Sequence, residues 1–146
     1  MVNKEQIIQW LEAVATVLEG NKDYLTELDA AIGDADHGIN MNRGFQKVLI
    51  QLPTIMNKDI GGIFKAVSMT LISTIGGASG PLYGTLFLRA SFVVTGKLEL
   101  TSEDMVKVLA AAVEGVVQRG KANLGDKTML DALSPAANSF TEAVAN

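Results

Sequence analysis

The stretch Asn57-Lys-Asp-Ile-Gly-Gly-Ile63-Phe-Lys-Ala-Val67-Ser-Met-Thr-Leu71-Ile-Ser-Thr-Ile75-Gly76-Gly-Ala-Ser79-Gly-Pro81-Leu-Tyr-Gly-Thr85-Leu-Phe-Leu-Arg-Ala-Ser-Phe92-Val-Val94 reads as two helices joined by a glycine-rich turn. Ile63, Val67, Leu71 and Ile75 recur at the spacing of one helical face, so the first of the two opens at Asn57 or Lys58. It ends where Gly76-Gly-Ala-Ser-Gly-Pro81 begins, and the second runs from that turn to about Val94. Phe92, Val93 and Val94 include β-branched residues but stay in the helical register, and Thr95-Gly96-Lys97 turns the chain. No strand pattern bounded by hairpin turns occurs here or elsewhere, which places the chain among all-α proteins.

The helical period extends in both directions. Asn3 with Gln6 has the form of an N-cap and capping box; Ile7, Leu11, Val14 and Leu18 share a face, and Gly20 stops this first helix. Asn21 is expected to cap a short second helix through Tyr24, Leu25 and Leu28 to about Ala31. A third is expected from about Ile39 to Leu52, with Pro53 marking its end because proline disfavours a helical residue before it. The pair quoted above is the fourth and fifth. Thr101 with Asp104 caps a sixth, amphipathic through Met105, Leu109, Ala112, Val113 and Val116. Gly120 to Lys127 is a loop, and a seventh helix runs from about Thr128 to the end. With neither repeat nor linker, the expectation is one domain: a bundle or barrel of antiparallel amphipathic helices with its functional site at one end, in the helix-end loops.

A chain of 146 residues can bury a core, and 48% hydrophobic against 19% charged residues is a globular rather than a disordered balance. Without cysteine there is neither a disulfide framework nor a thiolate metal site. A net charge of −4 opposes non-specific nucleic-acid binding but leaves room for a nucleotide whose charge a metal offsets locally. The apolar stretches are broken well short of a membrane span, and Met1 to Gln6 lacks the core of a signal peptide. A cytoplasmic protein with no membrane or nucleic-acid partner is expected.

The chemistry lies in Asp29-Ala-Ala-Ile-Gly-Asp34-Ala-Asp36-His37-Gly38-Ile-Asn40-Met-Asn-Arg43-Gly44. Three carboxylates fall within eight residues. An extended backbone would send Asp34 and Asp36 to the same side, with Asp29 at the end of the preceding helix. Three converging anions need a counter-charge, and a hard cation such as Mg²⁺ takes carboxylate and phosphate oxygens. The bland alternative makes Asp34 a helix cap and leaves the others solvated. An EF-hand fails, because its sixth and twelfth positions counted from Asp34 hold Ile39 and Phe45 instead of Gly and Glu. Zinc lacks its usual His or Cys set, His37 being the only histidine. His37 is then a backbone-bonded loop residue, a nucleotide contact or a phosphohistidine carrier.

Gly76 to Thr85 is neither a Walker A loop nor a dinucleotide fingerprint. Its small residues still allow backbone N–H groups to approach phosphate oxygens at a helix N-terminus, with the Ser79 hydroxyl as a further donor. Alternatively it is a tight turn in which Gly76 and Gly77 only supply positive φ. Arg43, Lys121 and Lys127 are either docking charges or a solvated rim, and for isolated surface charges the solvated rim is the better reading.

Together these segments resemble the nucleotide-binding L subunit of dihydroxyacetone kinase, a domain that also ends the single-chain ATP-dependent kinases. The matching strings are Tyr24-Leu25-Thr26-x-Leu28-Asp29, Ile32-Gly-Asp-Ala-Asp-His-Gly38, Asn40-Met-Asn-Arg-Gly-Phe45, Gly76-Gly-Ala-Ser-Gly-Pro81 and Arg119-Gly-Lys with Gly125-Asp-Lys-Thr-Met129. The resemblance implies a helical barrel holding ADP or ATP at one end. By it, Asp29, Asp34 and Asp36 match the ligands of two Mg²⁺ ions, and His37, Gly38, Ile39 and Asn40 match a nucleotide-contacting stretch. Ala78 and Ser79 match the phosphate turn, Gly120 and Met129 match residues lining the pocket, and Thr85 is a further contact. It also implies the partners: a dihydroxyacetone-binding kinase subunit and a phosphohistidine phosphodonor subunit, with a homodimer compatible. ADP is then a coenzyme rephosphorylated in place, and no residue of this chain is catalytic beyond the metal and phosphate ligands.

A chain that opens directly into the domain at Met1 favours the phosphotransferase-dependent form over a fused ATP-dependent kinase. The family's later helices, its Arg-containing glycine-rich stretch and its Asp-Pro-Gly have no match, so residues 1–146 are expected to be a single L domain lacking the C-terminal helices. A nucleotide-dependent regulatory module is the alternative in another class.

Overall fold

The computed structural model describes all of residues 1–146. The chain runs β1 (Val2–Asn3), α1 (Lys4–Gly20), α2 (Lys22–Ala30), α3 (His37–Ile55), α4 (Ile60–Thr74), α5 (Ser79–Val93), β2 (Glu99–Leu100), α6 (Ser102–Gly120) and α7 (Leu130–Ala145). All seven expected helices form.

Both capping boxes are made. Asn3 Oδ1 accepts from the Gln6 N–H at 2.9 Å while Gln6 Oε1 accepts from Asn3 at 3.0 Å, and Thr101 and Asp104 exchange the same pair at 3.1 Å each. Elsewhere the boundaries depart from expectation. Asn21 does not cap α2 through its side chain; its Nδ2 instead donates to the Val17 carbonyl at 2.8 Å and closes α1. α4 starts later than Asn57 or Lys58, at Ile60, because Asp59 is the cap and accepts from the Gly62 N–H at 2.8 Å. α3 begins at His37 and continues through Pro53 to Ile55. Leu52 and Ile55 on either side of the proline are buried, so core packing holds the last turn against the local preference. Two residues of strand, which no periodicity can reveal, pair antiparallel as Val2 with Leu100 and Asn3 with Glu99.

α3 packs on α4, α4 on α5, α5 on α6 and α6 on α7, while α1 and α2 both lie against α3. Short connections make successive helices of this series antiparallel. Leu11, Val48, Ile63, Val67 and Leu71 are wholly buried in one shared core. Phe87 joins its layers, with ring centroids 6.0 Å from Trp10 and 5.8 Å, edge-on, from Phe64. α1 faces α6 and α7 across a partly open apolar cleft of about 430 Å³, where Gln6 is the one lining residue that is not hydrophobic.

The alternating directions sort the helix ends. The strand pair, the start of α4 and the end of α5 share one end, where the Ile60 N–H donates to the Lys97 carbonyl at 2.8 Å. The starts of α3, α5 and α7 and the ends of α4 and α6 share the other. No helix is long and apolar enough to cross a membrane.

Candidate functional site

At that second end, α2 lies across the start of α3. Gly38, buried in α3's first turn, touches the backbone of Lys22 and the Thr26 hydroxyl. This approach brings the Asp29 carboxylate over the helix start, where its Oδ2 accepts the backbone N–H groups of Asp36 at 3.0 Å and His37 at 3.2 Å. These are two of the donors a helix N-terminus leaves unpaired.

Asp34 and Asp36 reach the same place by a route the sequence did not suggest. The backbone between them is not extended: Ala35 has φ 59°, a left-handed conformation costly for any residue with a Cβ. That turn folds both carboxylates back, and ligand oxygens of Asp29, Asp34 and Asp36 all lie within 4.8 Å of one another. Asp34 is not a helix cap. Asp36 holds the N-cap position of α3, and its side chain makes no capping bond, so its carboxylate remains in the cluster.

The electrostatics fit a cation. The N–H groups of Asp36, and secondarily His37, hold the Asp29 carboxyl below its usual range. Asp34 is pushed up by its hydrogen bond and charge repulsion with Asp36, and further by Asp29. A group of three carboxylates without a nitrogen or sulfur donor is the ligand set of a hard divalent ion, and such an ion would remove the repulsion.

Beside this cluster stands the glycine-rich turn. Ile75 is extended and buried, Gly77 takes φ 65°, and α5 starts at Ser79. Of the two glycines expected at positive φ, only Gly77 has it. Ser79 Oγ lies 3.2 Å from His37 Nδ1, which joins the starts of α3 and α5 across 42 residues of chain. Two helix N-termini therefore face one place with their positive dipole ends and free N–H groups, a ready anion site. His37, Gly38, Asn40, Ala78 and Ser79 fall here, as does Ile39, which is 48% exposed.

The remaining expected contacts lie on α5, α6 and the start of α7. Gly120 ends α6 within reach of Leu82 in α5's first turn, and Met129 directly precedes α7. Thr85 is not beside the His37–Ser79 pair; its γ-methyl points to Gly115 across the α5–α6 contact. Two residues with no expected role hold backbone or side chains at this end of the bundle. Asp131 Oδ1 and Oδ2 accept the N–H groups of Gly125 at 2.7 Å and Lys127 at 2.8 Å, folding the loop before Met129 onto α7. Arg43 is exposed, as expected of a surface charge, but it also bonds Asn40 and the Thr74 carbonyl. The only signal for Asp131 was an acidic residue in the first turn of a helix, which is common.

A family model described as the DAK2 domain matches residues 31–146. The chain is 46% identical to the ADP-binding subunit DhaL of the PEP-dependent dihydroxyacetone kinase of Escherichia coli (strain K12), over 97% of this chain and 68% of that one. It is 42% identical to the corresponding ADP-binding subunit of the PTS-dependent kinase of Lactococcus lactis, over 90% and 66% of the two chains. Among solved structures, the dihydroxyacetone kinase of C. freundii matches with a TM-score of 0.78 and 26% identity, over 91% of this chain and 24% of that one.

Proposed function

The chain belongs to the DAK2 domain family, and on that premise we propose that it is the ADP-binding subunit of a phosphoenolpyruvate-dependent dihydroxyacetone kinase, with residues 1–146 as one nucleotide-binding domain. In this reading the chain retains ADP as a coenzyme. It accepts on it a phosphoryl group from a phosphohistidine donor subunit and delivers that group to dihydroxyacetone held by a separate subunit. A cytoplasmic location fits such a role. The observation that carries the reading is the cluster of Asp29, Asp34 and Asp36 beside two helix starts joined by His37 and Ser79.

Asp29, Asp34 and Asp36 would hold two Mg²⁺ ions, whose chemistry is to neutralise charge on phosphate oxygens as the phosphoryl group moves. The backbone N–H groups of Gly38 and Ile39 at the start of α3, and of Ala78 and Ser79, would bind phosphate oxygens without reorganising, because the helices already orient them, while those of His37 and Asn40 donate to Asp29 and to the Asp36 carbonyl and leave their side chains as the contacts. His37, held by Ser79, is then a nucleotide contact and not a nucleophile. Gly120, with no side chain, leaves room beside Leu82, and Met129 supplies an adaptable apolar wall for the base.

Calorimetric titration of ADP into the chain, with Mg²⁺ and then with EDTA, tests the site, and Asp36→Asn is the control. Binding that needs both Mg²⁺ and Asp36 is expected. Reconstitution with the dihydroxyacetone-binding subunit and phosphohistidine donor then tests the role. Phosphate transfer supports the kinase subunit, whereas nucleotide binding without transfer would overturn it in favour of a regulator.

A further inference from the structure

Arg43 makes two contacts at the edge of the site. Its Nε donates to the Thr74 carbonyl at 3.1 Å, 31 residues away, and its guanidinium Nη2 donates to Asn40 Oδ1 at 2.6 Å. Thr74 is the last residue of α4, so its carbonyl has no partner within the helix, and a cation there also meets the negative end of the helix dipole. Arg43 therefore caps α4 where the chain enters the Gly76–Ser79 turn.

The second contact fixes a polar group that is itself buried. Asn40 is only 7% exposed. An asparagine amide can sit in either of two orientations, and a guanidinium, which has donors and no acceptor, accepts only the one presenting oxygen. Nδ2 is then the atom left to face the turn. A methyl placed on Gly76 would lie 3.6 Å from Nδ2, against 3.9 Å from Oδ1 and 4.0 Å from Arg43 Nη2.

We propose that Arg43 is a positioning residue of the nucleotide site: by capping α4 at Thr74 and holding Asn40 Oδ1, it aims the Asn40 N–H donors at the Gly76–Ser79 turn. The inference rests on the nucleotide-binding reading above. It assigns Arg43 a fork that lysine cannot replace, since an ammonium on a flexible stem does not hold two acceptors in a fixed plane. It also distinguishes this role from simple attraction between a cation and the phosphates, for which lysine would serve.

The test measures the dissociation constant of Mg·ADP for the wild type, Arg43→Lys, Arg43→Gln, Asn40→Ala and the Arg43→Gln/Asn40→Ala double variant. The Asn40 side-chain amide is followed in parallel by NMR in the nucleotide-free chain. Arg43→Lys should weaken binding about tenfold, close to the effect of Asn40→Ala, because a hydrogen bond to a charged ligand is lost in both. The double variant should be no weaker than Asn40→Ala alone, as expected for residues acting in series. Wild-type affinity in Arg43→Lys, or single losses that multiply in the double variant, would overturn the proposal. If the wild type binds no Mg·ADP, the nucleotide reading fails separately. The Asn40 amide resonances then still decide: a marked shift or faster hydrogen exchange in Arg43→Lys supports the positioning role, and an unchanged amide refutes it.

Discussion

Replacing Gly38 by alanine should disable the site through α2 and not through any direct contact with a ligand. A methyl on Gly38 would lie 2.6 Å from Thr26 Oγ1 and 2.8 Å from the Lys22 carbonyl carbon, and closer still to the Lys22 oxygen. Real Cβ atoms do not approach neighbours within 3.0 Å, and most of these neighbours are backbone that cannot rotate away. α2 must retreat from α3 by roughly 1 Å, an overpacking that costs about 1–3 kcal/mol. For a domain of this size that lowers Tm by about 3–9 °C. The same retreat would stretch the bonds from the backbone N–H groups of Asp36 and His37 to Asp29, now 3.0 and 3.2 Å, past hydrogen-bonding range. Asp29 would leave the cluster, and Mg·ADP affinity should fall about tenfold or more, equivalent to one such charge-assisted bond. Thermal unfolding and calorimetry on the same samples read both effects. Gly20→Ala is the control, since a methyl there meets nothing within 4 Å and should leave stability equal or higher. Wild-type Tm and affinity in Gly38→Ala would refute the reasoning that the α2–α3 approach sets the cluster.

Asp34→Asn should raise the Tm of the metal-free chain, because repulsion from Asp36 and Asp29 is relieved, while weakening Mg²⁺-dependent ADP binding; scanning calorimetry with and without Mg²⁺ checks both signs. Asp104, held below its usual range by its bond to Lys97 Nζ at 2.9 Å and then by the Thr101 N–H, gives a pH signature. A lowered folded value means its stabilisation is complete above the ordinary aspartate value of about 4 and is lost as pH falls through the folded value. The Tm gap between wild type and Asp104→Asn should therefore be widest near neutral pH and close below about pH 4. Asp131→Ala should cost about 1–2 kcal/mol by freeing the N–H groups of Gly125 and Lys127, with hydrogen exchange rising in residues 121–129 and not in α3.

Helix number and order were legible because their determinants lie three or four residues apart. The boxes at Asn3–Gln6 and Thr101–Asp104 and the face Ile63, Val67, Leu71, Ile75 need only neighbouring residues to be read. Local rules failed where two of them competed or a distant contact intervened. Asn21 is a good cap for either flanking helix, and closing α1 won; Pro53 should stop α3, and the burial of Leu52 and Ile55 overrode it.

For the site, the sequence by itself determined the ligand chemistry: three carboxylates, one histidine, a small-residue turn, and no cysteine. These are side-chain identities, and identity alone sets which ions and phosphates they suit. Only the tertiary structure decided that they meet. The left-handed Ala35, the bond from His37 to Ser79 and the fork of Arg43 between Asn40 and Thr74 all depend on which helix starts and ends share one end of the bundle. That arrangement follows from burying every helix face at once, a condition on the whole chain that no short stretch carries.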